Sequence, residues 1–351
     1  LQRYLNNQQG VQAEVIRYYA ARIPRKYKLL NWMKCLFLRI PFVTKYLPQK
    51  WRVENERNFS SFKSKWINYS SRISYGKEDL NRYSSKYDLL ITGSDQVWSM
   101  LLDNANNSVY FLDFGTKYQR RISYAASFGR KDYPISLKNK LEQCLSNIDA
   151  VSVRELDGIA ICKSCGKKAD LVLDPTFLLD RKVYLSLINS KQTASFAYLY
   201  VLNVTNKDDI YWDILSKYIK TSRIKGTTAS GYSTAQLKVD GVVYENSTIE
   251  QWLYNIANAN IVITTSFHGV VFSIIFHNDF IFIPLQGEHA PSNNRVFDLL
   301  NNLGIGDRIV SDKKSIERIL LNHINYNEVA KKLEPLREFS KSYLKTQLSI
   351  K

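Results

Sequence analysis

A histidine in a hydroxyl-rich turn is the first place in this sequence where acid–base chemistry could be done. Thr265-Ser266-Phe267-His268-Gly269 follows the apolar, β-branched Ile261–Thr264 and precedes the apolar run Val270–Phe276. The first run reads as a buried parallel strand and the second as a buried helix. Phe280–Ile283 reads as the next strand, stopped by Pro284. That alternation is half of a doubly wound α/β domain. In such a domain ligands sit beyond the carboxyl ends of strands, where helix N-termini present their N–H groups. Thr265, Ser266 and Gly269 are therefore placed to bind an anionic group, and His268 to carry a proton near neutral pH. The bland alternative is a histidine that merely caps or fills the helix.

Three further turns share this logic. Leu89–Thr92 reads as a buried strand running into Gly93-Ser94-Asp95-Gln96, whose hydroxyl, carboxylate and amide could bind the hydroxyls of a sugar. Their structural alternative is a strand-to-helix connection with Ser94 or Asp95 as N-cap. Ser127-Phe128-Gly129 follows the expected strand Arg121–Ala126. Arg154-Glu155 closes the expected strand Ala150–Val153, which places Arg154 at a strand's carboxyl end as well.

The elements that must position these turns fall into two expected domains. Residues 1–180 form the first, with a basic helical insertion over about 22–85 and a start that lacks the strand and loop an α/β domain normally opens with. Strands are expected at Ala13–Tyr18 and Tyr110–Phe114, helices at Leu137–Leu145 and from Asp157 to Cys165. Residues 190–325 form the second, with strands at Phe196–Val201 and Arg223–Thr227 and helices at Lys207–Ile219, Ile249–Ala257 and Arg295–Leu303. A charged helix over 326–351 ends the chain.

Composition narrows the function classes. No run of 18 apolar residues occurs, so no spanning helix is expected. Four cysteines in 351 residues are not a disulfide framework. Cys162-Lys-Ser-Cys165 has redox or zinc spacing but no second ligand pair nearby, so reduced thiols are expected. The four histidines show no ligand spacing with acids, and no metal or other cofactor is expected. Net charge is +17, and residues 1–90 hold 18 Lys/Arg against 6 Asp/Glu. Nine cations lie between Arg22 and Arg52 with no acid among them, interleaved with aromatic residues and cut by Pro24, Pro41 and Pro48. This reads as basic amphipathic helix, suited to an anionic membrane surface. A helical insertion packed on its own domain is the alternative. No nucleic-acid motif accompanies the charge.

Six stretches, taken in order, carry a resemblance. They are Asp88–Trp98, Tyr110–Phe114, Arg121–Gly129, Val151–Glu155, Leu173–Thr176 and Thr265–Gly269. Together they resemble the polysaccharide pyruvyl transferase family of bacterial capsule and exopolysaccharide pathways, over roughly Leu1 to Arg308. The resemblance implies a GT-B-like fold of two Rossmann-like domains facing a cleft. It implies phosphoenolpyruvate as co-substrate, a sugar of a growing lipid-linked glycan as acceptor, and a pyruvate ketal as product. His268 matches the family's active-site histidine, and Arg154 an arginine of the donor side. Ser266 stands where many members carry an arginine, and Arg295 is the nearby candidate to replace that cation. The family's glycine-rich N-terminal loop has no counterpart here.

The expected enzyme is thus a ketal-forming transferase, cytoplasmic and peripheral at the inner face of the bacterial membrane. Donor ligands are Arg154, Thr265, Ser266, Gly269 and Arg295, and acceptor ligands Ser94, Asp95, Gln96 and Ser127. The rival readings are a GT-B glycosyltransferase using a nucleotide sugar and a non-catalytic glycan-binding relative. The sequence names neither the acceptor sugar nor the oligomeric state.

Overall fold

The computed structural model describes residues 1–20, 30, 32, 33, 36, 37, 49–188, 195–219, 223–227 and 239–349. Most of the expected membrane-surface segment, 22–52, lies outside the described residues. By contact the chain divides into two units. One comprises residues 1–22, 67–179 and 330–351, the other residues 23–66 and 180–329. The basic insertion assigned above to the first domain therefore groups, over 23–66, with the second. The C-terminal helix, expected as an appendage, belongs largely to the first.

In the first unit β1 (Val15–Tyr19) and β2 (Tyr69–Tyr75) pair in parallel, and α1 (Gly76–Ser84) follows. β3 (Leu89–Thr92) pairs in parallel with β4 (Arg120–Ser123). After α2 (Lys138–Ser146) come β5 (Val151–Val153), α3 (Leu156–Ser164) and β6 (Ala169–Leu171), the two strands again parallel. Single parallel bridges from Ile122 to Ala150 and from Ala126 to Val153 join the pairs into the order β3-β4-β5-β6. Trp98, Phe111, Phe128, Leu141, Leu145, Ile148 and Ile161 fill one core. A second gathers Leu5, Tyr124, Val172 and Leu178 with Tyr343 and Leu344 of the helix Tyr326–Ser349.

The second unit is one parallel sheet of β7 (Ala197–Tyr200), β8 (Ile224–Thr227), β9 (Val242–Glu245), β10 (Ile261–Thr264) and β11 (Phe280–Phe282), in the order β11-β10-β7-β8-β9. The chain runs outward from β7 through β8 to β9, then returns to the other side of β7. This makes β7 and β10 the pair at which strand order reverses, the usual ligand position in doubly wound sheets. Helix α4 (Ile249–Asn258) precedes β10, with Thr248 Oγ1 accepting from the Gln251 N–H as N-cap. Helix α5 (Phe267–Phe276) follows β10. Helix α6 (Asn294–Leu303) ends at Gly304 in the left-handed region, and α7 (Lys313–Leu321) starts with an Asp312/Ser315 capping box. The α/β class with parallel strands is as expected.

Two elements differ in kind. Tyr110–Phe114 is no strand: a 3-10 helix covers Ala105–Phe111, started by the Asn104 side chain accepting from the Asn106 N–H. The expected helix Lys207–Ile219 breaks at Tyr211, which sits at φ +54, into a 3-10 turn and a short helix Trp212–Tyr218.

Candidate active site

The carboxyl end of β10 is built from side-chain hydroxyls turned onto backbone. Thr264 Oγ1 donates to the Tyr200 carbonyl of β7 at 2.7 Å and accepts from the Ser266 N–H at 3.0 Å. Thr265 Oγ1 accepts from the Leu202 N–H at 2.8 Å and donates to the Leu202 carbonyl at 3.0 Å. Both threonines thus clamp the strand pair at its switch point, so Thr265 is a fastening of the site's floor. Ser266 is the N-cap of α5, its hydroxyl accepting from the Gly269 N–H at 3.4 Å. A Cβ at position 269 would lie 2.4 Å from Thr264 Oγ1, so only glycine lets the helix begin this close to the strand.

His268 stands out within α5. Every other residue of that helix is buried, and His268 alone is half-exposed, with its ring edge-on to Phe267 at 5.3 Å. Arg295 comes from the first turn of α6 and lies with its guanidinium carbon 5.1 Å from the Phe267 ring centre. Asn293 fixes the approach of that arginine: its amide accepts from the Leu285 N–H at 2.9 Å and donates to the Leu285 carbonyl at 2.8 Å. The structure therefore brings Ser266, His268, Gly269 and Arg295 to one end of α5. A helix N-terminus with an arginine attracts an anion, and a half-exposed imidazole there can give or take a proton.

Arg154, in the first unit, has a different setting. Its side chain is 1% exposed and is gripped by carboxylates: Nη1 donates to Asp174 at 2.8 Å, Nη2 to Asp95 at 2.8 Å, and Nε lies 3.9 Å from Glu155. Burial opposes the charge, but Asp174, Asp95 and Glu155 outweigh it and hold the guanidinium above its ordinary pKa. Ser127 is fully buried, its hydroxyl donating to the Glu155 carboxylate at 2.7 Å, while the Phe128 N–H donates to the same group at 2.8 Å. Ser127 accordingly serves the wall of the fold. Ser94 and Gln96 are half-buried, and Asp95 is exposed at φ +64 with one oxygen on Arg154.

The family-like stretches are knitted together here. Thr92 and Trp98 both donate to the Tyr110 carbonyl, at 2.7 and 2.9 Å, and the Trp98 ring stacks on Phe111 at 5.0 Å. Arg121 donates to the carbonyls of Leu112 and Phe114. Asp174, to which the sequence reading gave no role, is the buried partner of Arg154. The signal available for it was an acidic residue in the turn Asp174-Pro175-Thr176, one of the six family-like stretches.

Among the described residues the cysteines stand apart from this chemistry. Cys162 is buried and its thiol is pushed up to about 12, Cys144 to about 11, both by burial, so neither supplies thiolate near neutral pH. His277 caps α5 and stacks on Tyr326 at 4.8 Å, and His323 Nδ1 meets Asp279. Among the described residues no group of three acids, histidines or cysteines is arranged to hold a metal. Nor is any of their helices long and apolar enough to cross a membrane.

Compared with known families, residues 1–286 match the polysaccharide pyruvyl transferase family. No curated protein matches the chain. Among solved structures, the UDP-GlcNAc 2-epimerase of Neisseria meningitidis bound to UDP-GlcNAc is similar at 12% identity and a TM-score of 0.49, over 99% of this chain and 95% of that one. The UDP-GlcNAc 2-epimerase of Methanocaldococcus jannaschii is similar at 8% and 0.44, over 92% and 88%. MurG of Acinetobacter baumannii is similar at 8% and 0.40, over 83% and 88%. The family match takes in well over half of the sequence and five of the six motif stretches in the first unit as well as the α5 turn in the second: the chain belongs to the polysaccharide pyruvyl transferase family, and so to the transferases.

Proposed function

We propose that the protein transfers the enolpyruvyl group of phosphoenolpyruvate to a sugar of a bacterial capsule or exopolysaccharide glycan and closes it into a pyruvate ketal. The observation that carries this reading is His268, the one half-exposed residue of a helix otherwise buried, at a helix N-terminus shared with Ser266 and Arg295. The α/β class and parallel strands of each unit fit the fold that family membership suggests.

The chemistry asks for what that corner offers. A proton is added to the vinyl CH₂ of the donor, making it a methyl group and leaving an oxocarbenium-like carbon. One sugar hydroxyl adds to that carbon and loses its proton. A second hydroxyl of the same sugar then displaces phosphate, and its proton leaves with the site's base or with the phosphate. His268 is the group that moves these protons. Arg295 and the start of α5 hold the phosphate or carboxylate, in place of the arginine that Ser266 replaces. Ser94, Asp95 and Gln96 are the proposed acceptor ligands. The test is incubation with phosphoenolpyruvate and a panel of lipid-linked acceptors. Phosphate release with gain of a carboxyethylidene group, read by mass spectrometry, is expected. Release of a nucleotide from a nucleotide sugar, with phosphoenolpyruvate untouched, would make it a glycosyltransferase instead.

A lipid-linked acceptor would bring the protein to the anionic inner face of the cytoplasmic membrane. Leu30, Trp32, Met33 and Leu36 are exposed, Trp32 by 62%, within the basic segment. Exposed apolar side chains among cations suit the headgroup level of such a surface. Co-sedimentation with anionic vesicles should weaken as salt rises, because exposed charges are screened within about 10 Å at 0.1 M. Equal binding to neutral vesicles would remove this element of the reading.

A further inference from the structure

We propose that the first unit carries a second carbohydrate site, a pocket for a sugar bearing a phosphate or carboxylate. It is formed between β2 and α1 and shares no residue with the His268 corner. A cavity of about 310 Å³ opens there, at the lower end of the roughly 300–1,000 Å³ common to small-molecule sites, which suits one sugar ring. Ile16 and Leu80 are its aliphatic walls. The rest is hydroxyl and cation, with Arg72, Arg82 and Lys86 around Tyr83, Tyr87 and a cluster of serines.

The charge is uncompensated on one side. Lys86 is paired with Glu14, which also accepts from the Tyr87 hydroxyl. Among the described residues neither Arg72 nor Arg82 has a carboxylate partner. Arg72 is held with its guanidinium carbon 5.0 Å from the Tyr83 ring centre, so its direction is partly set before any ligand arrives. Two such arginines favour an oxyanion, to which each can give paired hydrogen bonds.

The hydroxyls say what else the ligand carries. Ser84 is 1% exposed, lines the cavity and has no hydrogen-bond partner for its Oγ. That oxygen is closed to solvent, so it forms part of the wall and is not itself a ligand contact. Ser70 is already used, accepting from the Arg17 N–H and donating to the Arg72 carbonyl. Ser85 donates to the Arg82 carbonyl and Tyr87 to Glu14, which leaves Ser71, Ser74 and Tyr83 with hydroxyls that can both donate and accept, as those of a sugar do. A bare anion would leave most of this surface unused, and a neutral sugar would leave the arginines unused.

The inference does not depend on enolpyruvyl transfer, because its residues belong to another unit. It is tested by calorimetric titration of the full chain with glucose 1-phosphate, glucuronate, glucose and inorganic phosphate. One or both acidic sugars should bind at least tenfold more tightly than glucose or phosphate, and which one does so tells phosphate from carboxylate. Arg72→Gln with Arg82→Gln, both exposed, should weaken that binding tenfold or more at unchanged melting temperature. Ser71→Trp, on the exposed rim, should abolish it by filling the mouth. His268→Gln should leave it unaltered. Phosphate or glucose binding as tightly as the acidic sugars, no binding at all, indifference to both pocket variants, or loss in His268→Gln would each overturn the proposal.

Discussion

The two arginines singled out by their place in the sequence occupy opposite environments. Arg154 is buried, and the three carboxyl groups around it exceed its own charge. Arg295 lies over an aromatic ring at the start of a helix, beside a half-exposed histidine. A guanidinium already surrounded by carboxylates adds little attraction for an incoming anion, since its field is cancelled at short range. It is well suited to holding together strands whose ends carry those acids. Arg295 stands instead over a ring beside a helix N-terminus, where the helix itself also favours negative charge. The same residue type is thus a fastening in one unit and, in the function proposed above, an anion ligand in the other.

The largest effect should come from breaking the fastening. Arg154→Met leaves Asp174, 1% exposed, and Glu155 without their cation, and removing one partner of a buried charge cluster costs roughly 3–5 kcal/mol. The Asp95 arm adds little, because that side chain is two-thirds exposed. Chemical denaturation should show the loss as a lowered midpoint. A variant with full stability and no donor affinity would instead make Arg154 the anion ligand that family membership suggests.

His268→Gln should do the reverse, with the melting temperature almost unmoved and transfer slower by roughly 10²–10⁴-fold. Retention of more than a third of the wild-type rate would return His268 to the role of a helix residue. The mildest change is expected for Arg295→Ala, about tenfold weaker phosphoenolpyruvate binding by calorimetry with the fold intact. Unchanged affinity there would place the anion elsewhere and leave the contrast between the arginines without functional meaning.

The sequence made much of this legible where a signal was local. The β10 turn and α5 were readable because β-branched residues, two threonines, a capping serine and a long apolar run follow one another. What it hid was contact. Nothing near Arg154 announces Asp95, 59 positions away, as its partner. In Phe267–Phe276 the type and position of His268 mark it as the side chain to watch, and the structure leaves it the one residue of that helix not buried. Two edge strands were missed: β2, Tyr-Ser-Ser-Arg-Ile-Ser-Tyr, lacks a hydrophobic pattern and is exposed at three central positions, and β9, Val-Val-Tyr-Glu, is only four residues long after Gly241. The grouping of 23–66 with the second unit is likewise tertiary, and an Asn246 amide donating to Glu56 is one of the contacts that set it.

The helix Tyr326–Ser349 bears on the order in which a newborn chain can mature. Its Ser340 accepts from the Leu173 N–H, Tyr343 donates to the Ser123 carbonyl, and Arg337 donates to the Phe177 carbonyl, across 167, 220 and 160 positions of sequence. On a ribosome these bonds cannot form until Arg337, Ser340 and Tyr343 have left the exit tunnel. Everything the second unit needs, residues 23–66 and 180–329, is by then already outside. At roughly 5–20 residues per second, the sheet begun first waits about 8–30 s between Leu179 and Ala330 for the helix that seals it. Of these two units the one begun first is completed second, and its unsealed strands are what a chaperone would meet.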